Sequence, residues 1–597
     1  MLERPDTKQF KRRFKKRRKQ VGELTDEAGR QLDKHLLDHV DGSLGSAAWR
    51  FVVSWLLLLV VLLGGVAIQA RALGRYYLGP VAVAGGEYVE GMEGLFSNAS
   101  PIFATSSVDT SVSKLLFSGL LRYNEKGVLV GDLAESWSTD ATGTVYTIKL
   151  RPNVRWHDSE KVTASDVVYT IDAIQNPDTK SPYNLSWQGV SVSALDDQTV
   201  VMTLPNPLAS FGSSLVQGIV PKHRLASVPL AQLRSAEFNS RLPVGTGPFS
   251  WGGVISLETG GDIEHQRIAF RADENYHLGK PNLNRYVIQT YPSQSEIVKA
   301  LEAGQINAAG LSSLEDVSQA DILKFNQFNV PLMSGVYLFF NNSRPNLSDK
   351  TLRNALVRSI DTKALRAQLN YPVIDVSGPI LRKHFAYDPA HTQTKSDITE
   401  AANLLDKAGW TKAEGTFVRQ KAGLALEFTL LTEDQADYAR LADSLQRQFA
   451  EIGVKITVQV KAGREFQQSL QTHDYDALLY GITIGTDPDV FPYWHSSQAL
   501  SERFNLSEYK SAIADEALGS ARSRQDQSLR SAKYRTFSDA WRDDAPAIGI
   551  YQPRLLFVTN GQLYNFDVSS IASSTERYAN VHKWMYLTED APLVSNR

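Results

Sequence analysis

Histidine, carboxylate and serine side chains occur where their spacing suits catalysis or metal binding. His157 and Asp158 lie close to Glu160, a group suited to holding a metal or moving protons. Side chains this near in sequence seldom complete a metal site without a distant further ligand. No Gly-x-Ser-x-Gly turn, which would expose a serine nucleophile, precedes a helical pattern. We therefore expect neither a metal site nor a catalytic centre there.

Two other patterns point to ligands only weakly. The Gly-Thr-Gly run at 245–247 is too short for a phosphate-binding loop and continues into Pro248. His35 and His39 form the only histidine pair spaced four apart, with no third ligand nearby. The chain has no cysteine, which excludes disulfides and thiolate metal sites. We expect a protein without cofactor or metal, and not an enzyme.

The N-terminal region combines a strong basic cluster with one long apolar run. Residues 1–20 hold ten Lys or Arg and two acids, and residues 51–70 are uncharged. Twenty helical residues at ~1.5 Å each match a hydrocarbon core of about 30 Å. The pattern predicts a basic cytoplasmic tail over 1–48, a transmembrane helix over 49–72, and an extracytoplasmic remainder.

Alternatives exist for this region. The residues Ala70, Arg71 and Ala72 resemble a signal-peptide cleavage site, but the apolar run is longer and starts later than a secretory signal requires. Within the tail, apolar residues recur every four positions from Leu24 to Val40, which predicts an amphipathic helix on the inner leaflet. The basic cluster either sets topology, binds nucleic acid or docks a cytoplasmic partner, and we favour topology.

Charge divides the chain unevenly. The formal charge is −2 overall and +5 for residues 1–50, which leaves −7 for the rest. A mildly acidic ectodomain gives no reason to expect nucleic-acid binding there.

The remaining 510 or so residues alternate between strand and helix patterns. Strands are predicted at 145–150 and 199–204, and a capping-box pattern opens a helix at Thr163. Further helices are predicted at 293–303, 350–369 and 397–408. The strand 426–431, helix 434–452 and strand 454–460 form a β-α-β pattern, which is typical of a parallel sheet. The fold class is therefore α/β.

From about residue 86 to about residue 586 the chain resembles family 5 of the bacterial extracytoplasmic solute-binding proteins, the peptide/nickel partners of ABC importers. About ten motifs occur in the family's order and together make the resemblance strong. They are LFSGLLRY (116–123), LAESW (133–137), YTIKLRPNVRWHD (146–158), TASDVVY (163–169), DDQTV (196–200), VPKH (220–223), PVGTGPF (243–249), NYHLGKP (275–281), residues 351–361 and TDPDVF (486–491).

The resemblance implies a two-lobed, periplasmic-binding-protein-like fold of type II with an extra inserted subdomain. Mapped here, lobe one is 85–120, 243–332 and 552–597, the inserted subdomain is 121–242, and lobe two is 333–551. The extended runs 333–341 and 547–557 suit the two strands that cross between the lobes. Lobes joined in this way close around a ligand.

The resemblance also directs attention to residues that would face the cleft between the lobes. The stretch from Tyr480 to Trp494 concentrates aromatic and acidic side chains after a strand end that faces the cleft in the family. Two further groups follow strand patterns and offer polar atoms to a peptide main chain. The full set of candidate ligand contacts is Phe96, Asn98, Ser100, Asn341, Asn342, Tyr480, Thr483, Asp487 and Trp494.

One feature of the family is altered in this chain. Its members often carry an aspartate three residues before the Asp-Pro position, where it binds the N-terminal amine of a peptide. Here that position is Ile484, and Gly481 replaces a common tryptophan. Asp487 either substitutes for the amine clamp or caps the turn before Pro488.

The sequence thus predicts a membrane-tethered, extracytoplasmic protein that captures oligopeptides or a related small solute. Its predicted partners are the ligand, ABC transporter permease subunits and the membrane, without nucleic acid. An alternative is a receptor that reports ligand through the transmembrane helix to the basic tail. A third hypothesis is an ectodomain that kept the fold and serves scaffolding or adhesion.

Overall fold

The computed structural model describes residues 45–259, 262–311, 322–369, 371–412 and 415–592. These residues fall into two compact units, one reaching up to Val81 and resuming at Thr588, the other running from Ala82 to Leu587. The basic cluster, the predicted amphipathic helix and the pair His35 and His39 lie outside the described residues.

The first unit is dominated by one long helix, Gly45–Tyr77. Its segment Phe51–Gln69 has a mean hydropathy of 2.8 and is long and apolar enough to cross a membrane. The leucines of this segment and all its valines except Val53 are exposed. The predicted span 49–72 therefore lies within one continuous helix whose central segment is apolar. Strand β1 (Leu78–Val83) follows it and pairs with the last strand, β24 (Leu587–Pro592).

The second unit holds the remaining strands, which build three main sheets and two small ones. In chain order they are β2 (Glu87–Glu93), β3 (Leu121–Tyr123), β4 (Leu129–Gly131), β5 (Ala134–Thr139), β6 (Val145–Leu150), β7 (Ser191–Asp196), β8 (Thr199–Thr203), β9 (Phe249–Thr259), β10 (Asp262–Ala272), β11 (Arg285–Tyr291), β12 (Ala308–Leu311), β13 (Asn326–Pro331), β14 (Ser334–Phe340), β15 (Ile374–Asp375), β16 (Thr411–Lys412), β17 (Arg419–Lys421), β18 (Leu424–Ala425), β19 (Glu427–Glu433), β20 (Lys455–Lys461), β21 (Ala477–Thr483), β22 (Ala547–Gln552) and β23 (Arg554–Thr559).

Helices cover these sheets. The α-helices are Ser107–Leu116, Ala164–Gln175, Asn184–Trp187, Lys222–Leu225, Gln294–Glu302, Lys350–Ser359, Thr362–Arg366, Ile398–Lys407, Ala436–Glu451, Gly463–Thr472, Phe491–Trp494, Ala512–Ser523 and Gln527–Asp544. Short 3-10 segments are Pro177–Thr179, Ala209–Val216, Leu230–Ser235, Glu237–Asn239, Ser496–Gln498 and Ser574–Lys583.

The three main sheets divide the unit into parts. Lobe one is built on seven strands in the order β13-β23-β12-β2-β11-β10-β9, and lobe two on six in the order β15-β22-β14-β21-β19-β20. Between the two segments of lobe one nearest the N-terminus, the chain forms an inserted subdomain with the antiparallel sheet β5-β6-β8-β7. This is the two-lobed α/β fold that the motifs predicted.

Two short connections join the lobes side by side. The chain leaves the lobe-one sheet after β13 and enters the lobe-two sheet at β14, through Leu332 and Met333. It returns between β22 and β23, at Pro553. The Leu332 amide donates to the Pro553 carbonyl at 3.0 Å, and the Gln552 side chain donates to the Leu332 carbonyl at 2.7 Å. The crossings therefore form one hydrogen-bonded hinge.

Most predicted elements are confirmed. The β-α-β unit is present as β19, the helix Ala436–Glu451 and β20, with the two strands parallel. The capping box at Thr163 and Asp166 opens the helix Ala164–Gln175. The prediction of a single helix over 350–369 is wrong.

Two helices replace that single helix. The first ends at Ser359, and Ile360 and Asp361 are extended. The Asp361 carboxylate accepts hydrogen bonds from the amides of Lys363 and Ala364 and so caps the second helix. Aspartate is favoured at an N-cap over a helix interior because its short side chain bonds free amides there.

Candidate functional site

Three cavities follow one another where lobe one, the inserted subdomain and lobe two face each other. The hydroxyl cavity, about 620 Å³, lies between segments 101–117 and 573–575 of lobe one and segments 183–187 and 213–218 of the inserted subdomain. The crossing cavity, about 510 Å³, lies beside the hinge residue Met333. The apolar cavity is about 490 Å³.

The three cavities are neighbours. Ser213 lines both the hydroxyl and the crossing cavity, and Ser186 lines both the hydroxyl and the apolar cavity. The apolar cavity lies between residues 186–211 of the inserted subdomain and Phe491 and Arg522 of lobe two. Each volume falls within the range of small-ligand sites, about 300–1,000 Å³. Together they make an extended cleft.

One face of the helix Ser107–Leu116 forms the main wall of the hydroxyl cavity. Its polar residues recur at helical spacing, which places them on one side. They are Ser107, Thr110, Ser113 and Lys114, and Phe117 continues the row just after the helix. The Ser106 hydroxyl caps this helix by accepting from the Asp109 amide at 3.0 Å. The cap fixes where the polar face begins.

A buried ion pair holds the opposite wall, Ser573 to Thr575. Arg577 donates to the Ser574 carbonyl at 2.5 Å and, through Nε, to Glu90 Oε1 at 2.9 Å. Glu90 lies on the central strand β2 and is fully buried. Its Oε2 also accepts from the hydroxyls of two tyrosines at 2.6 Å each, Tyr286 and Tyr578. The wall is therefore tied to the core of lobe one.

Glu576 follows that wall and has an unusual protonation equilibrium. Burial raises the pKa of its carboxyl from 4.5 to about 7, although the Ala572 amide and Lys114 oppose the shift. The Ala572 amide donates to Oε2 at 2.7 Å. Burial therefore favours the uncharged form of Glu576 more than in an exposed glutamate.

Lobe two contributes Asp487 to the crossing cavity. The carboxylate of this residue is already paired with an arginine. Arg530 Nη1 donates to Oδ2 at 2.8 Å and Nη2 donates to Oδ1 at 2.5 Å. The guanidinium is buried and also lies over the Phe385 ring. Such a bidentate pair is strong and directional. Both oxygens of Asp487 are thus engaged within lobe two.

Asp489 joins lobe two to the inserted subdomain. Its Oδ2 accepts from the Ser210 hydroxyl at 2.9 Å and lies 3.1 Å from Arg522 Nε. Its Oδ1 is buried without a hydrogen-bond partner among the described residues. Burial raises the pKa of this carboxyl, while Arg522 and Ser210 act in the opposite direction. The Ser210–Asp489 bond bridges the cleft directly.

A neutral histidine positions the other loop of lobe two at the crossing cavity. His384 Nδ1 accepts from the Leu381 amide at 3.1 Å, so Nε2 donates to the Gly485 carbonyl at 2.8 Å. Burial lowers the pKa of the imidazole to about 4. The side chain therefore stays uncharged at neutral pH and fixes its neighbours Lys383 and Phe385, which line the cavity.

The predicted lobe-two residues fall partly at this site. Asp487 lines the crossing cavity, beside Thr486. Thr483 is exposed at the end of β21 nearest the hinge, and its carbonyl accepts from the Tyr493 hydroxyl. Tyr480 is half-buried, with its ring 5.4 Å from that of Phe466.

The predicted lobe-one residues lie in a buried loop behind the hydroxyl cavity. The Phe96 amide donates to Gln266 at 2.7 Å, and the ring packs against Trp251. Asn98 is buried and accepts from the Ser100 amide at 2.9 Å within its own loop. Ser100 is also buried. These side chains support the loop that leads to Pro101 in the cavity wall.

Three predicted contacts need correction. Asn341 and Asn342 follow β14, which begins at the hinge and runs away from it, so they lie at the far end of lobe two. There Nδ2 of the Asn341 side chain donates to the carbonyls of His473 and Tyr475. Trp494 is fully buried and packs against aromatic side chains of the lobe-two core. None of the three offers a surface to the cleft.

Sequence reasoning missed the hydroxyl cavity. Its one available signal was the row of Ser, Thr and Lys at helical spacing from Ser107 to Lys114, which also fits a solvated helix face. The wall at 573–575 carried no pattern of its own. The buried pair of Glu90 and Arg577, far apart in sequence, helps to hold it at the site.

Comparison with known proteins gives a consistent result. Residues 128–501 match the family described as bacterial extracellular solute-binding proteins, family 5 Middle. The chain is 28% identical over 486 residues to the oligopeptide-binding protein AppA of Bacillus subtilis (strain 168), covering 79% of this chain and 86% of AppA.

Two solved structures share the architecture. AppA from Bacillus subtilis in complex with a nonapeptide has a TM-score of 0.67 and 25% identity, covering 85% of this chain and all of that one. NikZ from Campylobacter jejuni in complex with Ni(L-His) has a TM-score of 0.67 and 29% identity, covering 84% and 99%. The relatives therefore bind ligands as different as a long peptide and a small nickel complex.

Proposed function

We propose, from the premise that this chain belongs to family 5 of the bacterial extracellular solute-binding proteins, that it captures peptides or a related small solute in the cleft described above. Proteins of this family bind ligands and are not enzymes. The proposal extends to delivery of the ligand to the permease of an ABC importer.

The observation that carries the proposal is the position of the cavities beside a two-strand hinge. The crossing cavity is lined by Met333 at the hinge, by loops of lobe two and by the inserted subdomain. Movement about the hinge would open all three cavities to solvent and close them again. A ligand that contacts both sides favours the closed state, which a permease can distinguish from the open one.

Within this cleft we propose Asp487, Thr483 and Tyr480 as the lobe-two region that meets the ligand. The first lines the crossing cavity, and the other two lie on the strand that ends beside the hinge. The lobe-one wall of the hydroxyl cavity is supported from behind by three buried side chains, Phe96, Asn98 and Ser100.

We further propose that the helix Gly45–Tyr77 anchors the protein in the cell membrane, with the N-terminus cytoplasmic and residues after 72 outside. Its segment Phe51–Gln69 has the length and hydropathy of a membrane span. The basic excess upstream supports this orientation. An anchor keeps the binding unit near a permease and raises its effective concentration without adding affinity.

The test is native mass spectrometry of the full-length chain in detergent, followed by release and identification of co-purifying molecules. A ladder of short peptides is the expected result. A single defined non-peptide species would retain a binding protein and replace the proposed substrate. A protein that carries nothing and shows no thermal shift with peptides or small solutes would contradict the proposal.

A further inference from the structure

Among the described charged side chains that line the three cavities, the lysines lack ion-pair partners whereas the one acidic residue is paired. Lys114 lines the hydroxyl cavity, and Lys126 and Lys383 line the crossing cavity. None of the three has an ion-pair partner among the described residues. Asp487 is the one acidic residue among the described linings, and Arg530 occupies both of its oxygens.

Lys114 differs from the other two lysines in burial. It is half-buried on the helix face of the hydroxyl cavity, whereas Lys126 and Lys383 are exposed at the rim of the crossing cavity. Lys114 acts on the carboxyl of Glu576, but the two side chains form no ion pair among the described residues. A half-buried ammonium without a partner is disfavoured, and a ligand anion would relieve this.

Hydroxyl groups with unused hydrogen-bonding capacity line the same cavity as Lys114. The side chains of Ser107, Ser113, Ser186 and Ser214 line the same cavity and make no hydrogen bond within the described chain. A hydroxyl can donate to a carboxylate oxygen, and four such donors in one cavity with an ammonium suit an anionic group.

We infer that the cleft selects solutes that carry carboxylates, such as short acidic peptides, with Lys114 and the surrounding hydroxyls as the anion-binding group. This inference rests on the proposed function and specifies its substrate class. The same geometry implies that Asp487 does not bind the ligand's amine, because Arg530 already satisfies it. The N-terminal amine of a peptide ligand therefore contributes little to affinity.

The experiment compares pentapeptides of equal length by calorimetric titration of the full-length chain in detergent. The set contains Ala-Glu-Ala-Glu-Ala, its glutamine and lysine counterparts, an N-acetylated form of the acidic peptide, and a free tricarboxylate. The variants are Lys114→Gln and Lys114→Arg. Lys299→Gln is the matched control, because Lys299 is an exposed lysine of lobe one that lines none of the three cavities and has no ion-pair partner among the described residues.

The acidic peptide is expected to bind at least tenfold more tightly than the lysine peptide, and acetylation to change its affinity less than about threefold. Lys114→Gln should weaken acidic-peptide binding about tenfold or more. Lys114→Arg should retain most of the affinity, and Lys299→Gln should have no effect.

Contrary outcomes separate this inference from the proposed function. If neutral or basic peptides bind as well as acidic ones and Lys114→Gln changes nothing, the charge inference is overturned while peptide capture stands. If only the tricarboxylate binds, and Lys114 is required, the charge inference stands and peptide capture fails. If no compound binds, both are overturned.

Discussion

The two sides of the cleft differ in whether their polar side chains have partners within the protein. On the lobe-two side, Asp487 and Asp489 are each paired with an arginine of the same lobe, Arg530 and Arg522. On the side of lobe one and the inserted subdomain, Lys114 has no ion-pair partner among the described residues, and the hydroxyls of Ser107, Ser113, Ser186 and Ser214 make no hydrogen bond among them. Groups that are already satisfied set the shape of a wall, whereas unsatisfied groups are available to a ligand.

This difference assigns different tasks to the two sides. The carboxylates that lobe two presents are paired with arginines of the same lobe, so a change there should affect folding. The lobe-one side presents the chemistry that a ligand would use, so a change there should affect binding more than folding.

The largest expected effect follows from breaking the lobe-two pair. Arg530→Met leaves the Asp487 carboxylate partly buried without its partner, and we expect the free energy of unfolding to fall by about 2 to 4 kcal/mol. Chemical denaturation of the full-length chain measures this change. Arg524→Met, at an exposed arginine of lobe two, is the control and should shift stability by less than about 0.5 kcal/mol.

A double variant sharpens that result. Adding Asp487→Leu to Arg530→Met removes the unpaired charge and should restore most of the lost stability. If the single variant is as stable as the wild type, the two walls do not differ as described.

A smaller effect is expected from Glu576 on the lobe-one side. Its carboxyl has a pKa of about 7 in the folded protein against 4.5 when unperturbed. The folded state therefore binds the extra proton, and the resulting stability is present below about pH 4.5 and is lost as pH rises through 7. Between pH 5 and pH 7.5 the wild type should lose about 1 to 2 kcal/mol more than Glu576→Gln.

Thermal or chemical unfolding at the two pH values measures this difference. Glu451→Gln, at an exposed glutamate of lobe two, should keep the wild-type pH dependence. An unchanged slope in Glu576→Gln would show that this carboxyl is not held protonated by burial.

The bridge between the walls should have a still smaller effect. Ser210→Ala removes the hydroxyl that donates to Asp489 across the cleft, so the closed state loses one charge-assisted hydrogen bond. We expect ligand affinity to fall about fivefold, corresponding to about 1 kcal/mol. Ser235→Ala is the matched control, because that hydroxyl bonds only within its own segment. Equal ligand affinities for the two variants would show that the Ser210 hydroxyl does not stabilise the closed state.

The smallest effect on binding is expected from the N-terminal end. Removing residues 1–20 should leave ligand affinity within about twofold of the wild type, because the cleft lies wholly in the unit 82–587. Uptake of the ligand by cells should persist in the importer account. Loss of a transcriptional response with normal uptake would instead favour the sensor hypothesis.

The sequence was a good guide to elements and a poor one to the cleft. Periodicity and capping residues located β19, β20 and the helix between them, because those signals are local. The direction of β14 relative to the hinge decides where Asn341 lies, and no local pattern encodes that direction.

Other failures have similar physical causes. The turn after Pro488 folds the Trp494 indole into the core, although the preceding strand end, which faces the cleft in the family, suggested a ligand contact. The polar face of Ser107–Leu116 looks like any solvated helix until the wall held by Glu90 and Arg577 is placed opposite. Long-range pairing, rather than composition, builds the site.

Hydrogen–deuterium exchange of the full-length chain, with and without its tightest-binding peptide, tests the central claim most directly. We predict slower exchange at 101–117, 213–218, 573–575 and the segment around Asp487, which together surround the hydroxyl and crossing cavities. Unchanged exchange in these four segments, with protection confined to the far end of lobe two near Asn341, would contradict the account.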